Sequence, residues 1–155
     1  MKLRLKPAYI IACAIGLVAT SALALDLASV AHDRKANMKT MGGAMKAINE
    51  QLKSATPDLG IIKAQAAKLD AGAHLMADQF PEGSGLKVDP KSEALDTIWS
   101  DKAKFKQISD DYVKAASNLN IVAQAGNASA LANAYHDVGQ ACKACHTQFK
   151  KRDEH

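Results

Sequence analysis

The sequence predicts an all-α fold, an antiparallel four-helix bundle, on three observations. Apolar residues recur at alternating spacings of three and four along four separate segments. Clusters of Pro, Gly, Ser, Thr, Asn and Asp fall between those segments. No run of strict apolar–polar alternation, the mark of a half-buried strand, appears anywhere past residue 26. At 155 residues, 48% hydrophobic and 23% charged, the chain is long enough for one domain with a real core. It is too apolar for disorder, and its three cysteines are too few for a disulfide scaffold.

The first segment is not part of the bundle. Lys2, Arg4 and Lys6 precede an uncharged, mostly apolar run over residues 8–25, which ends in small residues at Ala22 and Ala24. That is the secretory pattern: cations stay on the cytoplasmic side, the apolar stretch enters the translocon, and the peptidase accepts small side chains. Residues 1–24 are therefore predicted to be a signal peptide, and residues 25–155 the bundle domain. An uncleaved anchor competes, because the run is about as long as the shortest spanning helix. A lipoprotein site at Cys13 is disfavoured by the short apolar run before it. With the signal removed, the formal charge of +4 falls close to neutral, which gives no footprint for nucleic acid.

The first helix is read along Leu27, Ala31, Arg34, Met38, Met41, Met45, Ile48 and Leu52. Thr56 and Pro57 are expected to start the second, as N-cap and first helical residue. Its stripe runs Leu59, Ile62, Ala66, Leu69, Ala73, Met76, Phe80. A long loop with Pro81-Glu82-Gly83-Ser84-Gly85 follows. The third stripe, less regular, is Ile98, Phe105, Ile108, Tyr112, Ala115, Leu119, Val122. Gly126-Asn127-Ala128-Ser129 separates it from Leu131, Tyr135, Val138, Cys142, Cys145, Phe149. Two residues break the pattern. Arg34 takes a seam position with no acid on its stripe, so it either finds a partner or snorkels to water at the bundle end. Gly42-Gly43 weakens a helix interior by about 1 kcal/mol per Gly, unless a helix or flat ligand approaches there.

Cys142-Lys143-Ala144-Cys145-His146 is the c-type haem attachment pattern. Cys142 and Cys145 lie one turn apart on one helical face, so both sulfurs can add to vinyl groups along one porphyrin edge. His146 follows on that face as an axial iron ligand. A dithiol redox motif would normally open a helix after a strand, and zinc would need a fourth ligand for which His74 and His136 offer no recognisable spacing. One covalent haem c is the predicted cofactor. On the other side of the iron, Met38 is the candidate sixth ligand, with simple core packing as its alternative, as expected for Met41 and Met45. His32 and His74 sit off the seam. Arg34, one turn from Met38, can reach a haem propionate.

Arg34-Lys35-Ala36-Asn37-Met38-Lys39 with Gly42-Gly43-Ala44-Met45-Lys46, Phe80-Pro81-Glu82-Gly83, Ile98-Trp99-Ser100 with Phe105, and the terminal Cys142–His146 motif together resemble the cytochrome c′ family, the class II c-type cytochromes with their low-spin, Met-ligated relatives. The resemblance covers residues 26 to 152. It implies a periplasmic four-helix bundle, often a homodimer, with Cys142 and Cys145 as thioether attachments and His146 as proximal ligand. It also implies a propionate contact for Arg34 and the distal position for Met38. In high-spin members the distal residue only covers the iron, which binds nitric oxide or carbon monoxide; in low-spin relatives a methionine there ligates it. Lys150 departs from the arginine that many high-spin members place one turn after the histidine.

The expected activity is electron transfer without substrate turnover, with NO or CO binding if the iron is five-coordinate. The alternative is a low-spin carrier ligated by Met38 and His146. A peroxidase-like enzyme would want a distal His with an Arg, and the seam around Met38 supplies no well-placed His. Redox proteins are the expected partners; Lys143, Lys150, Lys151 and Arg152 are a candidate docking cluster for an acidic one, with a run of cations on a solvated helix face as the simpler alternative. No membrane contact is expected after cleavage.

Overall fold

The computed structural model describes residues 15–152, with side chains from Asp26 onward apart from Ala77. Of the proposed signal peptide, residues 1–14 lie outside the described residues. Residues 15–24 form the backbone start of helix α1, Ile15–Leu52, which passes the expected cut after Ala24 without a break. No helix among the described residues is long and apolar enough to cross a membrane. Four long helices make up the bundle: α1, α2 (Leu59–Leu75), α4 (Lys102–Gln124) and α5 (Ala128–Phe149); α3 (Thr97–Ser100) is one short turn. Among the described residues there is no strand, only an isolated antiparallel bridge between Ala94 and Lys150.

The ends of the helices follow from side-chain chemistry. Asp58, not Thr56, caps α2: its Oδ1 accepts from Gly60 N at 2.7 Å and Ile61 N at 3.2 Å. A carboxylate also favours the positive helix start, and Pro57 holds the residue before it extended. The second stripe is not α-helical to its end either, since Met76–Gln79 tightens into a 3₁₀ turn. The third segment is irregular because Asp101 interrupts it. That residue ends α3 and caps α4 by accepting from Lys104 N at 3.1 Å. Helix α4 ends in a Schellman turn, with Asn127 N donating to Val122 O and Gly126 N to Ala123 O. Gly126 takes the left-handed φ of +69° that this turn requires.

The seams pack as two clusters. Ile48, Ile62, Leu69, Leu119 and Val138 are sealed in the main core, with Met41, Met76, Tyr112 and Leu131 around them. On α4 the buried face includes Ala116 and Ala123 beside Leu119, while Ala115 and Val122, expected on the stripe, are half-buried. At the loop end Ile98, Phe105, Ile108 and Phe149 form a smaller cluster. There Phe105 meets Phe80 and Phe149 edge to face, with centroids 4.9 and 5.3 Å away. Extensive packing joins α1 to α2, α2 to α4 and α4 to α5, whereas α1 and α5 barely touch. The fourth side of the bundle is therefore open, and it carries the site.

Gly72 on α2, rather than Gly42-Gly43, marks the close helix approach. A Cβ on Gly72 would lie 2.7–3.0 Å from Asn37 Oδ1 and from Met41 Cγ and Sδ. A Cβ on Gly42 or Gly43 would meet nothing within 4 Å, and both residues are exposed.

Candidate haem centre

Cys142, Cys145 and His146 stand on α5 facing the open side, and Met38 faces them from α1. Two adjoining cavities of about 350 and 110 Å³ share Met38, Cys145 and His146 as lining. They are two ends of one slot, and their chemistries differ. The smaller end is walled by Met38, Met41, Met45, Met76 and Tyr112, with Cys142 and Gly42 at its edge. The larger end is bordered by Arg34, Lys35, Lys39, Lys91 and Lys150, with Asp89 and Glu93 among them, over a floor of Phe80, Phe105 and Phe149. Met41 and Met45 therefore serve the slot as well as the core. His32 and His74 are on neither wall: His32 lies exposed against Asp33, and His74 against Asp70 and Ser117.

Burial raises the pKa of both thiols, Cys145 to about 11 and Cys142 in the same direction. That is opposite to the lowered thiol of a redox Cys-x-x-Cys pair. Among the described residues no three His, Cys, Asp or Glu side chains gather as a zinc site needs. The His146 imidazole is pushed down by partial burial and by Lys150, with Glu93 opposing. It therefore holds a free lone pair at neutral pH, the form that ligates a metal. A planar group with an apolar edge, two carboxylates and a metal that takes imidazole fits this donor set: thiols and thioethers at one end, cations at the other.

Arg34 does not snorkel. It is 6% exposed, and its guanidinium donates to four acceptors on the loop after α2. Nη1 reaches Gln79 O and Ser84 Oγ, both at 2.9 Å; Nη2 reaches Ser84 O at 2.7 Å and Ser92 Oγ at 3.4 Å. The Phe80 ring lies under it, 4.6 Å from centroid to guanidinium carbon. Burial lowers its pKa, with Asp89 opposing. Sequence reasoning found the oddity of this arginine but not its partners, Ser84 and Ser92.

The loop also grips α5. Leu95 N donates to Phe149 O at 2.9 Å and Lys151 N to Glu93 O at 2.7 Å, and Lys150 Nζ pairs with Glu93 at 3.2 Å. The chain leaves the helix at Lys150, so Lys150, half-buried, is not on a solvated helix face with Lys143. Trp99 Nε1 donates to Phe80 O and Pro81 O, fixing the start of the loop. The cations that ring the slot mouth come from α1, the loop and the C-terminal segment.

The family model for cytochrome c′ matches residues 29–150. The chain is 34% identical to a cytochrome c′ of Rhodospirillum rubrum over 150 residues, covering 94% of this chain and 99% of that one. It is 30% identical to a cytochrome c-554 of Cereibacter sphaeroides over 154 residues, 96% of this chain and all of that one. Among solved structures, a ferrous variant of the cytochrome c′ of Alcaligenes xylosoxidans with bound NO superposes with a TM-score of 0.72 at 30% identity. That match covers 80% of this chain and 94% of the other.

Proposed function

The chain belongs to the cytochrome c′ family and carries one haem c, and from that premise we propose that it is a periplasmic electron carrier whose haem is held by Cys142, Cys145 and His146. The observation that carries the reading is the slot itself: both thiols and the imidazole line its α5 wall, opposite Met38 on α1. When bound, the group supplies a one-electron iron couple and, where a coordination position is open, a site for NO or CO. The protein's own contributions are then distinct. The two sulfurs tether the group, and the neutral His146 imidazole offers its lone pair from the α5 side. Met38 covers the opposite side, as ligand or as lid. Met45, Met76 and Tyr112 keep water from the apolar end. The guanidinium of Arg34 and the lysines at the mouth favour the carboxylate end.

Gas binding is the part of this reading that depends on Met38. A thioether on the iron closes it to gases and raises the potential; a thioether that only covers it leaves room. Catalytic turnover of peroxide is not proposed, because neither His32 nor His74 lines the slot. Removal of residues 1–24 on export, with residues 25–155 as the mature domain, belongs to the same reading. So do association into a homodimer and docking of an acidic redox protein at the lysine-ringed mouth.

Visible spectra of oxidised, reduced and carbon-monoxide-treated holoprotein test it. A haem c spectrum that survives acid–acetone extraction is expected. Extraction of all the colour would overturn the covalent assignment. Low-spin bands indifferent to carbon monoxide would select the Met38-ligated carrier.

A further inference from the structure

Four thioethers wall the apolar end of the slot, and two of them, Met38 and Met41, are neighbours on one face of α1. A methionine side chain has three flexible bonds, so sequence spacing does not decide which sulfur is presented to an iron. Met41 and Met38 differ in what holds them. The Tyr112 hydroxyl, buried on α4, donates to Met41 Sδ at 3.1 Å. From α2, Gly72 leaves a notch that this sulfur fills, since a Cβ there would stand 2.8 Å from Met41 Cγ and 3.0 Å from Sδ. Asn37 Nδ2 donates to Gly72 O at 2.9 Å and fixes the two helices at that notch. Met41 is 5% exposed. Met38 is half-buried and, among the described residues, receives no such hydrogen bond.

We propose, resting on the reading that Met38 faces the iron, that Tyr112 and Gly72 hold Met41 against α2 and α4 and so decide which methionine is presented to the haem. Tyr112 is a positioning residue in this scheme. Its O–H occupies a sulfur lone pair that Met41 would otherwise offer, and the bond satisfies a hydroxyl that burial would leave unpaired. The arrangement selects a ligand by restraining its competitor.

The test is made on haem-loaded protein with Met38 removed. Met38→Ala is expected to give a high-spin, CO-binding iron, because Met41 stays clasped. Adding Tyr112→Phe, which keeps the ring and loses only the hydroxyl, is expected to release Met41. A low-spin fraction then appears, and CO affinity falls about tenfold if Met41 occupies the iron nine-tenths of the time. Gly72→Ala in the same background evicts the sulfur sterically and is expected to act in the same direction, which serves if the Tyr112 variant fails to fold. Adding Met41→Leu to either double variant is expected to restore the high-spin spectrum, separating Met41 from Met45 and Met76. Double variants indistinguishable from Met38→Ala overturn the proposal. A low-spin Met38→Ala protein that Met41→Leu returns to high spin overturns it too. If Met38→Ala alone leaves the wild-type spectrum and CO affinity unchanged, the distal assignment of Met38 fails first and takes the selection with it.

Discussion

Arg34 and Ser84, fifty residues apart in sequence, are joined at two points: Nη1 donates to the serine hydroxyl at 2.9 Å and Nη2 to its carbonyl at 2.7 Å. Ser84 is fully buried, and among the described residues no carboxylate lies within ion-pair distance of the arginine. The charge is thus solvated by the loop's own dipoles, and the loop is folded around the charge.

Replacing Arg34 by Met is expected to destabilise the protein by about 3 kcal/mol, because several buried acceptors lose charge-assisted partners at once. Arg34→Lys keeps the charge but cannot fork between Gln79 O and Ser84, and should recover only part of the loss. Denaturant unfolding measures the difference. Limited proteolysis should show cleavage moving into residues 82–92.

Single changes Cys142→Ser and Cys145→Ser are each expected to leave one covalent link. The alkaline pyridine spectrum should shift toward that of a haem with one free vinyl. The double variant should release its colour into acid–acetone. Colour that resists acid–acetone in the double variant would show that covalent attachment lies elsewhere.

Burial keeps the Tyr112 hydroxyl protonated far above the ordinary tyrosine range. The folded-state value is raised, so the stability it contributes is complete below the unfolded value of about 10 and is lost as pH rises beyond it. Stability should therefore fall more steeply above about pH 10 in the wild type than in Tyr112→Phe. Thermal unfolding across an alkaline series reads the sign directly, and equal slopes in the two proteins would contradict it.

Reversing Lys35, Lys39 and Lys91 to Glu should slow electron exchange with an acidic partner about tenfold at low salt and flatten its salt dependence. Exchange with a small neutral reductant should change little. A rate to the acidic partner that ignores both the substitutions and the salt would place docking on another face.

Much of this could be read before any coordinates, and the division has a physical basis. Helix faces and the Cys142–His146 spacing are local properties, fixed by 3.6 residues per turn, and they survived folding nearly unchanged. Where local signals competed, the stronger acceptor won: Asp58 displaced Thr56 as cap, and Asp101 divided the third segment. What stayed hidden were meetings between distant residues. Nothing in the periodicity of α1 pairs Arg34 with Ser84 and Ser92, or sets Tyr112 of α4 against Met41. The lysine ring was missed for the same reason, since its members come from three parts of the chain. Lys150, grouped in sequence with Lys143, Lys151 and Arg152, sits where the chain leaves the helix and pairs with Glu93.

The loop from Gln79 to Leu95 is fastened to α1 by Arg34 and to the end of α5 by Phe149 and Lys151. The two helices that flank the slot have little direct contact, so this tether acts as their spacer. Inserting or deleting a residue between Gly85 and Asp89 offers a way to tune the jaw width between Met38 and His146 while sparing the three packed sides of the bundle.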